Sequence, residues 1–385
     1  MHVLQISFFV DARRRAPGEL LRDWHTLERI AGAVATAAER VTVVQASLSE
    51  GRVSRHGVDY VFVAPDRPGA LLAGSASFAK LLRELAPDVV HVHGLGFARE
   101  VLALRHLMPR IPILLQDHAD RLPRLWRRAP MRRAMACIDG TSFCARAQAE
   151  PFVRAGMLPS RVRVFEIPES TSAFSAGDAS AARAATGVHG DPAVLWAGHL
   201  DRNKDPLTVL DGAAAAAADL PGLQLWCCFG SAPLLPAVEA RLARDPALRA
   251  RVHLLGRVPH ERVEQLMRAA DLFVHGSHRE GGSTVLIEAL ATGLLPVVTD
   301  IPSSRALLGD GAVGFLWQRG DPQSLCDALK QAAAVAGAAG RARVLAHFER
   351  HVSSRAVGRK LAAAYAQIVG SGASERAELR LAHGA

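Results

Sequence analysis

Short runs rich in β-branched residues alternate with amphipathic helical segments along the whole chain, and this alternation limits the possible folds more than any other feature. Strand patterns occur at 3–9, 41–45, 58–64, 89–93, 113–116, 140–143 and 162–167, and again at 193–197, 223–229, 252–255, 272–275, 295–299 and 313–316. Such alternation indicates parallel sheets covered by helices on both faces. The predicted fold is therefore α/β, with doubly wound, Rossmann-like sheets.

The length of 385 residues exceeds the size at which one core keeps growing, so two domains are expected. We predict Rossmann-like domains at 1–172 and 191–355, joined by a small-residue linker at 173–190. A helix at 356–370 is expected to return to the first domain, and 371–385 to form a weakly ordered tail. Because ligands of parallel sheets bind outside the carboxyl ends of the strands, the two sheets are expected to face an interdomain cleft.

The composition restricts the class of protein. The formal net charge is +9, which suits a phosphate-bearing partner or an anionic surface, although a general preference for arginine over lysine explains it equally well. Five cysteines include no C-x-x-C pair, so we expect reduced thiols and no zinc site. No apolar run is long enough to span a bilayer, and no signal peptide is apparent, so a cytoplasmic protein is expected. Nucleic-acid binding is not expected, because no recognition motif is present.

The segment 278–296 carries the most chemical information. It places Glu280 and Glu288 eight positions apart across a small-residue turn that opens an apolar helix. The turn consists of Gly281, Gly282, Ser283 and Thr284. Unpaired amides at such a helix start favour phosphate. Glu288 is predicted to be buried, and a buried carboxylate requires a hydrogen-bonding partner such as a sugar hydroxyl.

A second group of residues opens the second half, where Gly198 follows a predicted strand and a basic cluster precedes the next helix. The cluster contains His199, Arg202 and Lys204. Lys204 is one of only four lysines in the chain, which makes it less typical of a generic solvated charge. A cation here and the helix start after Glu280 could hold a diphosphate between them.

In the first half, His118 follows the strand pattern 113–116, a position that suits a cleft residue. A structural histidine is the alternative. Gly18 precedes a predicted helix from Glu19 and would let phosphate or substrate approach the backbone. No His/Cys grouping has metal-ligand spacing, and no P-loop occurs, so neither a catalytic metal nor P-loop phosphate chemistry is expected.

Taken together, these motifs resemble those of the retaining glycosyltransferases of family 4. The resemblance covers essentially the full length and is strongest at 254–321, which contains the Glu280-x7-Glu288 motif. It implies the two-domain GT-B architecture, with an acceptor-side first domain and a nucleotide-sugar-binding second domain. It also implies a nucleotide-sugar co-substrate, with a UDP-sugar favoured, no cofactor or metal, and a front-face displacement that retains configuration.

The resemblance implies roles for individual residues. Glu280 would lie beside the donor sugar, Glu288 would hold the ribose hydroxyls, and Lys204 would bind the diphosphate. His118 would lie near the reacting carbon, so the catalytic set is Glu280, His118 and Lys204. The donor-binding set contains Lys204 and Glu288. It also contains Gly18, Gly198, His199, Arg202, Gly256, Arg257, Val258, Gly281, Gly282, Ser283 and Thr284.

Several positions depart from the family pattern. His199 replaces a basic residue and Ser283 a glycine, while Glu169-Ser170 replaces an Asn-Gly turn. The first-loop Gly-Gly is reduced to Pro17-Gly18. The alternatives are an inactive or regulatory nucleotide-sugar-binding protein and, ranked lower, a nucleotide-sugar 2-epimerase.

The stretch 121–133 is basic and amphipathic. Its arginines alternate with Leu122, Leu125 and Trp126. It could dock on anionic lipid headgroups, clamp a phosphorylated acceptor, or be a solvated helix face. Our hypothesis is a peripheral enzyme at the inner face of the cell membrane that adds a sugar to a lipid-linked or polysaccharide precursor.

Overall fold

The structure is a computed structural model and describes residues 1–11, 13–67, 69–118 and 121–382, the side chains of 371–382 excepted. The chain divides into two compact units, Ser172–Ser353 and the remainder. The first unit comprises Met1–Thr171 together with the chain from Ser354 onward.

The first unit contains a sheet in the order β3-β4-β2-β1-β5-β6-β7-β8. Its strands are β1 (His2–Ser7), β2 (Arg40–Ala46), β3 (Gly51–Arg55), β4 (Val58–Val63), β5 (Val89–His93), β6 (Ile113–Gln116), β7 (Gly140–Phe143) and β8 (Arg163–Glu166). All neighbours pair in parallel except β3 and β4. The strand order reverses between β1 and β5, which places a switch point at their carboxyl ends.

Strand β3 was not predicted from the sequence. It forms a hairpin with β4 through His56 and Gly57, which both have positive φ (52° and 77°). Positive φ at two successive residues is typical of a tight hairpin turn. The strand lies at the sheet edge and is largely exposed, so it carries no apolar alternation that would have marked it.

Helices cover both faces of this sheet. They are α1 (Pro17–Asp23), α2 (His25–Ala35), α3 (Ala76–Leu85), α4 (Ala98–Leu107), α5 (Arg128–Met135) and α6 (Glu150–Arg154), with short 3-10 helices at Leu72–Gly74, Leu125–Arg127 and Arg146–Gln148. Alternate residues of β1 enter two different apolar cores: Val3 packs on one face, and Leu4 and Ile6 on the other. Burial on both faces explains why the strands read as continuous apolar runs.

The second unit contains a parallel sheet in the order β11-β10-β9-β12-β13-β14. Its strands are β9 (Ala193–Gly198), β10 (Gln224–Phe229), β11 (Val252–Gly256), β12 (Leu272–His275), β13 (Leu295–Thr299) and β14 (Phe315–Trp317). The helices are α7 (Ala179–Thr186), α8 (Pro206–Ala216), α9 (Leu235–Ala243), α10 (Pro246–Arg249), α11 (His260–Ala269), α12 (Thr284–Ala291), α13 (Pro302–Leu308), α14 (Pro322–Val335) and α15 (Ala338–His351). This is the Rossmann order, with its switch point between β9 and β12.

The predicted linker 173–190 is largely structured. It contains α7, which is capped by Asp178 and ends at Gly187 (φ 77°). This helix packs against α11 and therefore belongs to the second unit. Only Ala182 of α7 is buried, so the segment lacks the apolar periodicity that would have predicted a helix.

The last helix, α16 (Ser354–Ala382), packs against α2 in the first unit. A Cβ at Gly358 would overlap the carbonyl oxygen of Ala33, so glycine permits this close approach. The helix is longer than the predicted 356–370. The predicted weakly ordered tail is helical in its backbone as far as Ala382, and 383–385 lie outside the described residues. None of the described helices combines the length and hydropathy that a bilayer-spanning segment needs.

Candidate active site

Two loops meet at the switch point of the second sheet, one after β9 and one after β12. The first carries Lys204 and the second Glu280. The Nζ of Lys204 lies 2.5 Å from Oε1 of Glu280, and both side chains are about 15% exposed (14% and 15%). The sequence-predicted cation and carboxylate are thus brought together as one partly buried ion pair.

Hydrogen bonds between the two loops hold this pair in place. Asn203 donates from Nδ2 to the carbonyl of Arg279 (3.0 Å), and the amide of His278 donates to the carbonyl of Asn203 (2.7 Å). A Cβ at Gly276 would lie 2.8 Å from the carbonyl oxygen of Lys204. Glycine is therefore required where the loops cross, a constraint that the sequence alone did not reveal.

His275, at the end of β12, is a further member of the site. Its side chain is fully buried, and its Nε2 lies 2.9 Å from Ser277 Oγ and 3.4 Å from Lys204 Nζ. Burial first, and then the charge of Lys204, hold its pKa well below the usual value. It is therefore a neutral imidazole. Sequence reasoning missed it, because a histidine inside a buried strand gives no periodic signal.

Helix α12 begins at Thr284, the last residue of the predicted turn, and Gly281, Gly282 and Ser283 before it are all buried. Ser283 is the N-cap residue, but its side chain makes no capping hydrogen bond, and its Oγ has no partner among the described residues. The first amides of α12 are therefore not satisfied by the cap, as an anion-binding helix start requires. The hydroxyl of Ser303 donates to the carbonyl of Glu280 (3.2 Å) and fixes the backbone before the turn.

Glu288 is buried, as predicted, at 4% exposure. Its Oε1 lies 2.8 Å from Nε2 of His260, the first residue of α11. The His260 ring also packs on Phe174, with centroids 4.6 Å apart. A histidine partner was not predicted, because α11 and α12 are separated by a full strand in the sequence.

The remaining donor-side residues lie at the carboxyl ends of β9 and β11. Gly256 has φ 67°, which favours glycine, whereas a Cβ at Gly198 would meet protein atoms only at ordinary distances. His199 is exposed and accepts a hydrogen bond at Nδ1 from the amide of Ser231 (3.1 Å). Arg257 reaches the nearby carbonyl of Gly230 at 3.5 Å. Arg202 is exposed and Val258 half-buried.

In the first unit, His118 follows β6 as predicted. Its Nδ1 lies 3.5 Å from Oε2 of Glu169, and its Nε2 lies 3.2 Å from Nδ1 of His93. His93 is half-buried, and the desolvation of its ring, reinforced by the neighbouring histidines, keeps its pKa well below the usual value. Glu169, one of the departures from the family pattern, therefore supplies a carboxylate beside His118.

Gly18 does not precede its helix as expected. Helix α1 begins at Pro17, so Gly18 lies in the first turn, where it is exposed and no atom of the described residues would crowd a Cβ. The placement of Gly18 in the donor site stays a prediction. Among the described residues, no group of three or more His, Cys, Asp or Glu side chains could hold a metal ion.

Two family profiles match the chain in succession. Residues 25–166 match the description "Glycosyltransferase Family 4", and residues 180–335 match "Glycosyl transferases group 1".

The chain is similar to curated relatives over different fractions of its length. The chain is 25% identical over 323 residues to the GDP-mannose:cellobiosyl-diphosphopolyprenol alpha-mannosyltransferase of Xanthomonas campestris, covering 81% of this chain and 79% of that protein. It is 32% identical over 162 residues to the D-inositol 3-phosphate glycosyltransferase of Nocardia farcinica, covering 40% of this chain but only 36% of that relative.

Solved structures share the fold. The sucrose-phosphate synthase of Thermosynechococcus elongatus aligns with a TM-score of 0.67 at 18% identity, covering 96% of this chain and 99% of that one. The Anabaena protein HepE in complex with UDP aligns with a TM-score of 0.67 at 17% identity, covering 95% of this chain and 100% of that one. The predicted α/β fold with two doubly wound sheets, as in GT-B proteins, is confirmed.

Proposed function

Since the chain belongs to the family 4 glycosyltransferases, we propose that it moves a hexose from a nucleoside diphosphate sugar to a glycan acceptor with retention of configuration. The acceptor is a lipid-linked glycan or a growing polysaccharide. In this proposal, the second unit holds the donor and the first unit holds the acceptor.

One observation carries the donor assignment: Lys204, Glu280 and the start of α12 converge at the switch point of the second sheet. Ligands of open α/β sheets bind at this position. A diphosphate placed there would meet the ammonium of Lys204 on one side and amides of the α12 start on the other. Both groups favour negative charge, and both are held by protein contacts before the ligand arrives.

The proposed reaction breaks the bond between C1 of the sugar and the leaving phosphate oxygen, while the acceptor oxygen forms a bond to C1 on the same face. The acceptor proton passes to the departing phosphate oxygen. Lys204 neutralises the charge that grows on the diphosphate, and Glu280 accepts hydrogen bonds from donor-sugar hydroxyls. We propose that no metal is needed, because Lys204 supplies the counter-charge that a divalent ion would otherwise provide.

Glu288 is proposed to hold the ribose hydroxyls. Its carboxylate is already fixed by His260 at 2.8 Å, and a carboxylate has acceptor capacity for further hydrogen bonds. His260 therefore orients Glu288 for the ribose. Uridine is the proposed base, supported by the HepE structures with UDP and UDP-glucose. The name of the Xanthomonas relative specifies GDP-mannose, so GDP is the competing ligand to test.

Thermal unfolding with UDP, GDP, ADP and NAD tests the donor class. A ligand at a hundred times its dissociation constant adds about 2.7 kcal/mol to the free energy of unfolding. UDP is expected to give the largest shift and NAD none. Release of nucleotide from the matching donor only after a glycan acceptor is added would identify a transferase. Conversion of the donor without an acceptor would contradict the proposal in favour of an epimerase.

We also propose that the segment 121–133 docks on an anionic membrane surface. Leu125 and Trp126 are 74% and 69% exposed, a large apolar area to leave in water. Exposed arginines flank them at Arg121, Arg124, Arg127, Arg132 and Arg133. Helix α5 buries its apolar residues in the core, so its basic face is left at the surface. Apolar insertion between cationic side chains is the pattern that binds anionic lipid interfaces.

Vesicle flotation at low salt tests this docking surface. Replacing Arg121, Arg127 and Arg133 by glutamine should weaken binding to phosphatidylglycerol vesicles roughly a hundredfold, because each arginine near the surface contributes about 1 kcal/mol to the binding free energy. The matched control replaces three arginines that are exposed in the second unit, Arg244, Arg249 and Arg350, by glutamine. Equal flotation of the two variants, or no binding by the wild type, would contradict the membrane part while leaving the transferase proposal intact.

A further inference from the structure

The first unit contains a cavity of about 420 Å³ at the carboxyl ends of β1 and β5, where its strand order reverses. Ser7 and His93 end these two strands, and both line the cavity. Its volume falls within the range of small-molecule sites. His118 and Glu169 also line it, so one end of the cavity carries the histidine that the family resemblance implies to lie near the reacting carbon.

An aromatic wall forms another part of this cavity. Phe9, Trp24 and Phe97 line it, and the rings of Phe9 and Trp24 lie 5.5 Å apart. Phe9 is 58% exposed, although it lies only two residues after the end of β1 and directly follows the buried Phe8. The amide of Gln45 donates to the carbonyl of Phe9 at 2.5 Å and holds its backbone in place. The structure thus presents a fixed aromatic surface, on which the C–H face of a pyranose ring can pack.

The charges around the cavity discriminate between acceptors. No Lys or Arg is found among the described residues that line it, whereas Glu169 contributes a carboxylate. The guanidinium of Arg15 lies over the Trp24 ring at 5.4 Å but is bound by Asp11 and Asp23 at 2.8–3.0 Å. Its hydrogen bond lowers the pKa of Asp11 to about 2, so this pair remains ionised and mutually neutralised. A phosphate in the cavity would therefore face a carboxylate without a counter-cation.

From this geometry we infer that the cavity is the acceptor subsite and takes an uncharged pyranose ring. The ring packs on Phe9 and Trp24, and the hydroxyl that receives the sugar points to His118 and Glu169. This inference rests on the proposed function and narrows its acceptor to a neutral glycosyl end group. It disfavours a phosphorylated polyol such as the inositol 3-phosphate named for the Nocardia relative.

The test measures binding of methyl β-cellobioside and of inositol 3-phosphate to the full chain by saturation-transfer NMR and titration. The glycoside is expected to bind and the phosphate to bind at least tenfold more weakly. Phe9→Ala should weaken glycoside binding about five- to tenfold, since one aromatic packing face is lost. Leu48→Ala, which truncates another exposed apolar side chain of this unit, should leave it unchanged.

Three results would each overturn the inference. Inositol 3-phosphate could bind more tightly than the glycoside, Phe9→Ala could bind the glycoside with wild-type affinity, or the glycoside could fail to bind at millimolar concentration. Nucleoside diphosphate binding to the same samples separates this failure from that of the proposed function. If the nucleotide binds and the glycoside does not, the assignment of the cavity as the acceptor subsite is wrong. If the glycoside binds as expected but no donor is ever consumed, the proposed function fails, and the cavity is a glycoside-binding site but not an acceptor subsite.

Discussion

The ammonium of Lys204 and the carboxylate of Glu280 lie 2.5 Å apart at the switch point of the second sheet. Without a ligand, each neutralises the other in a partly buried setting. A diphosphate would compete with Glu280 for Lys204, whereas a donor sugar would compete with Lys204 for Glu280. In the proposed function, donor binding would therefore separate the pair and give each residue its own partner.

Glu280→Gln should separate binding from transfer. The amide keeps the shape but removes the charge that neutralises Lys204, so the nucleoside diphosphate should bind at least as tightly as to the wild type. Transfer should fall about a hundredfold or more, because a preorganised charge beside the donor sugar is lost. Isothermal titration and nucleotide-release assays measure the two effects. Glu239→Gln, an exposed site on α9, is the matched control, and unchanged transfer in Glu280→Gln would refute the assignment.

Glu169 is expected to position His118 for transfer, because the carboxylate lies 3.5 Å from its Nδ1. Glu169→Gln should lower kcat about tenfold, change the pH profile of kcat, and leave KM for the donor unchanged. Glu169→Asp should restore part of the loss. A variant with the wild-type pH profile would show that the carboxylate does not act through His118.

His260→Ala should destabilise the second unit by about 1–3 kcal/mol, because buried Glu288 loses its 2.8 Å partner. Urea unfolding measures the change. His260→Gln can still donate a hydrogen bond and should recover part of the stability. Nucleotide affinity should fall in parallel, since Glu288 is no longer oriented. Unchanged stability in His260→Ala would mean that this contact contributes nothing.

The free energy of unfolding should decrease as the pH falls below about 6.5. Burial lowers the pKa of His91 to about 3 and holds those of His93 and His275 well below the usual value. These groups take up protons in the unfolded chain but not in the folded one. Their contribution is therefore complete above pH 6.5 and is lost progressively below it.

Urea unfolding between about pH 7.5 and about pH 5.5 measures this dependence, above the range where carboxylates titrate. Each of these three histidines should account for roughly 1 kcal/mol of the loss. His91→Gln should reduce the pH dependence of the unfolding free energy by the contribution of one histidine. His106→Gln, at an exposed position, should leave it unchanged. The same pH dependence in all three proteins would contradict the assignment of neutral buried imidazoles.

The sequence was sufficient to predict every strand except β3, and the burial of Glu288, because both depend on local apolar patterning. It did not predict the His260–Glu288 contact or the place of His275. These contacts depend on strand order, which brings loops together that are far apart in the chain. The meeting of Lys204 and Glu280 follows from the same order, since β9 and β12 are neighbours only across the switch point.

Apolar periodicity in the sequence also failed to indicate elements that bury few side chains. Helix α7 and strand β3 bury few apolar side chains, so neither produces a periodic pattern. The aromatic wall of the first unit was missed for a different reason. Phe9 and Trp24 are brought together only by the fold, and single aromatic residues near a strand end carry no signal of their own.

The dissociation constant of the preferred nucleoside diphosphate, measured for the wild type and Lys204→Ala, tests the central claim most directly. Loss of one charge-assisted contact should weaken the diphosphate about ten- to a hundredfold, and the matching monophosphate far less. Lys80→Ala, at an exposed position on α3, should bind like the wild type. Equal affinity of Lys204→Ala and the wild type for the diphosphate would contradict the account.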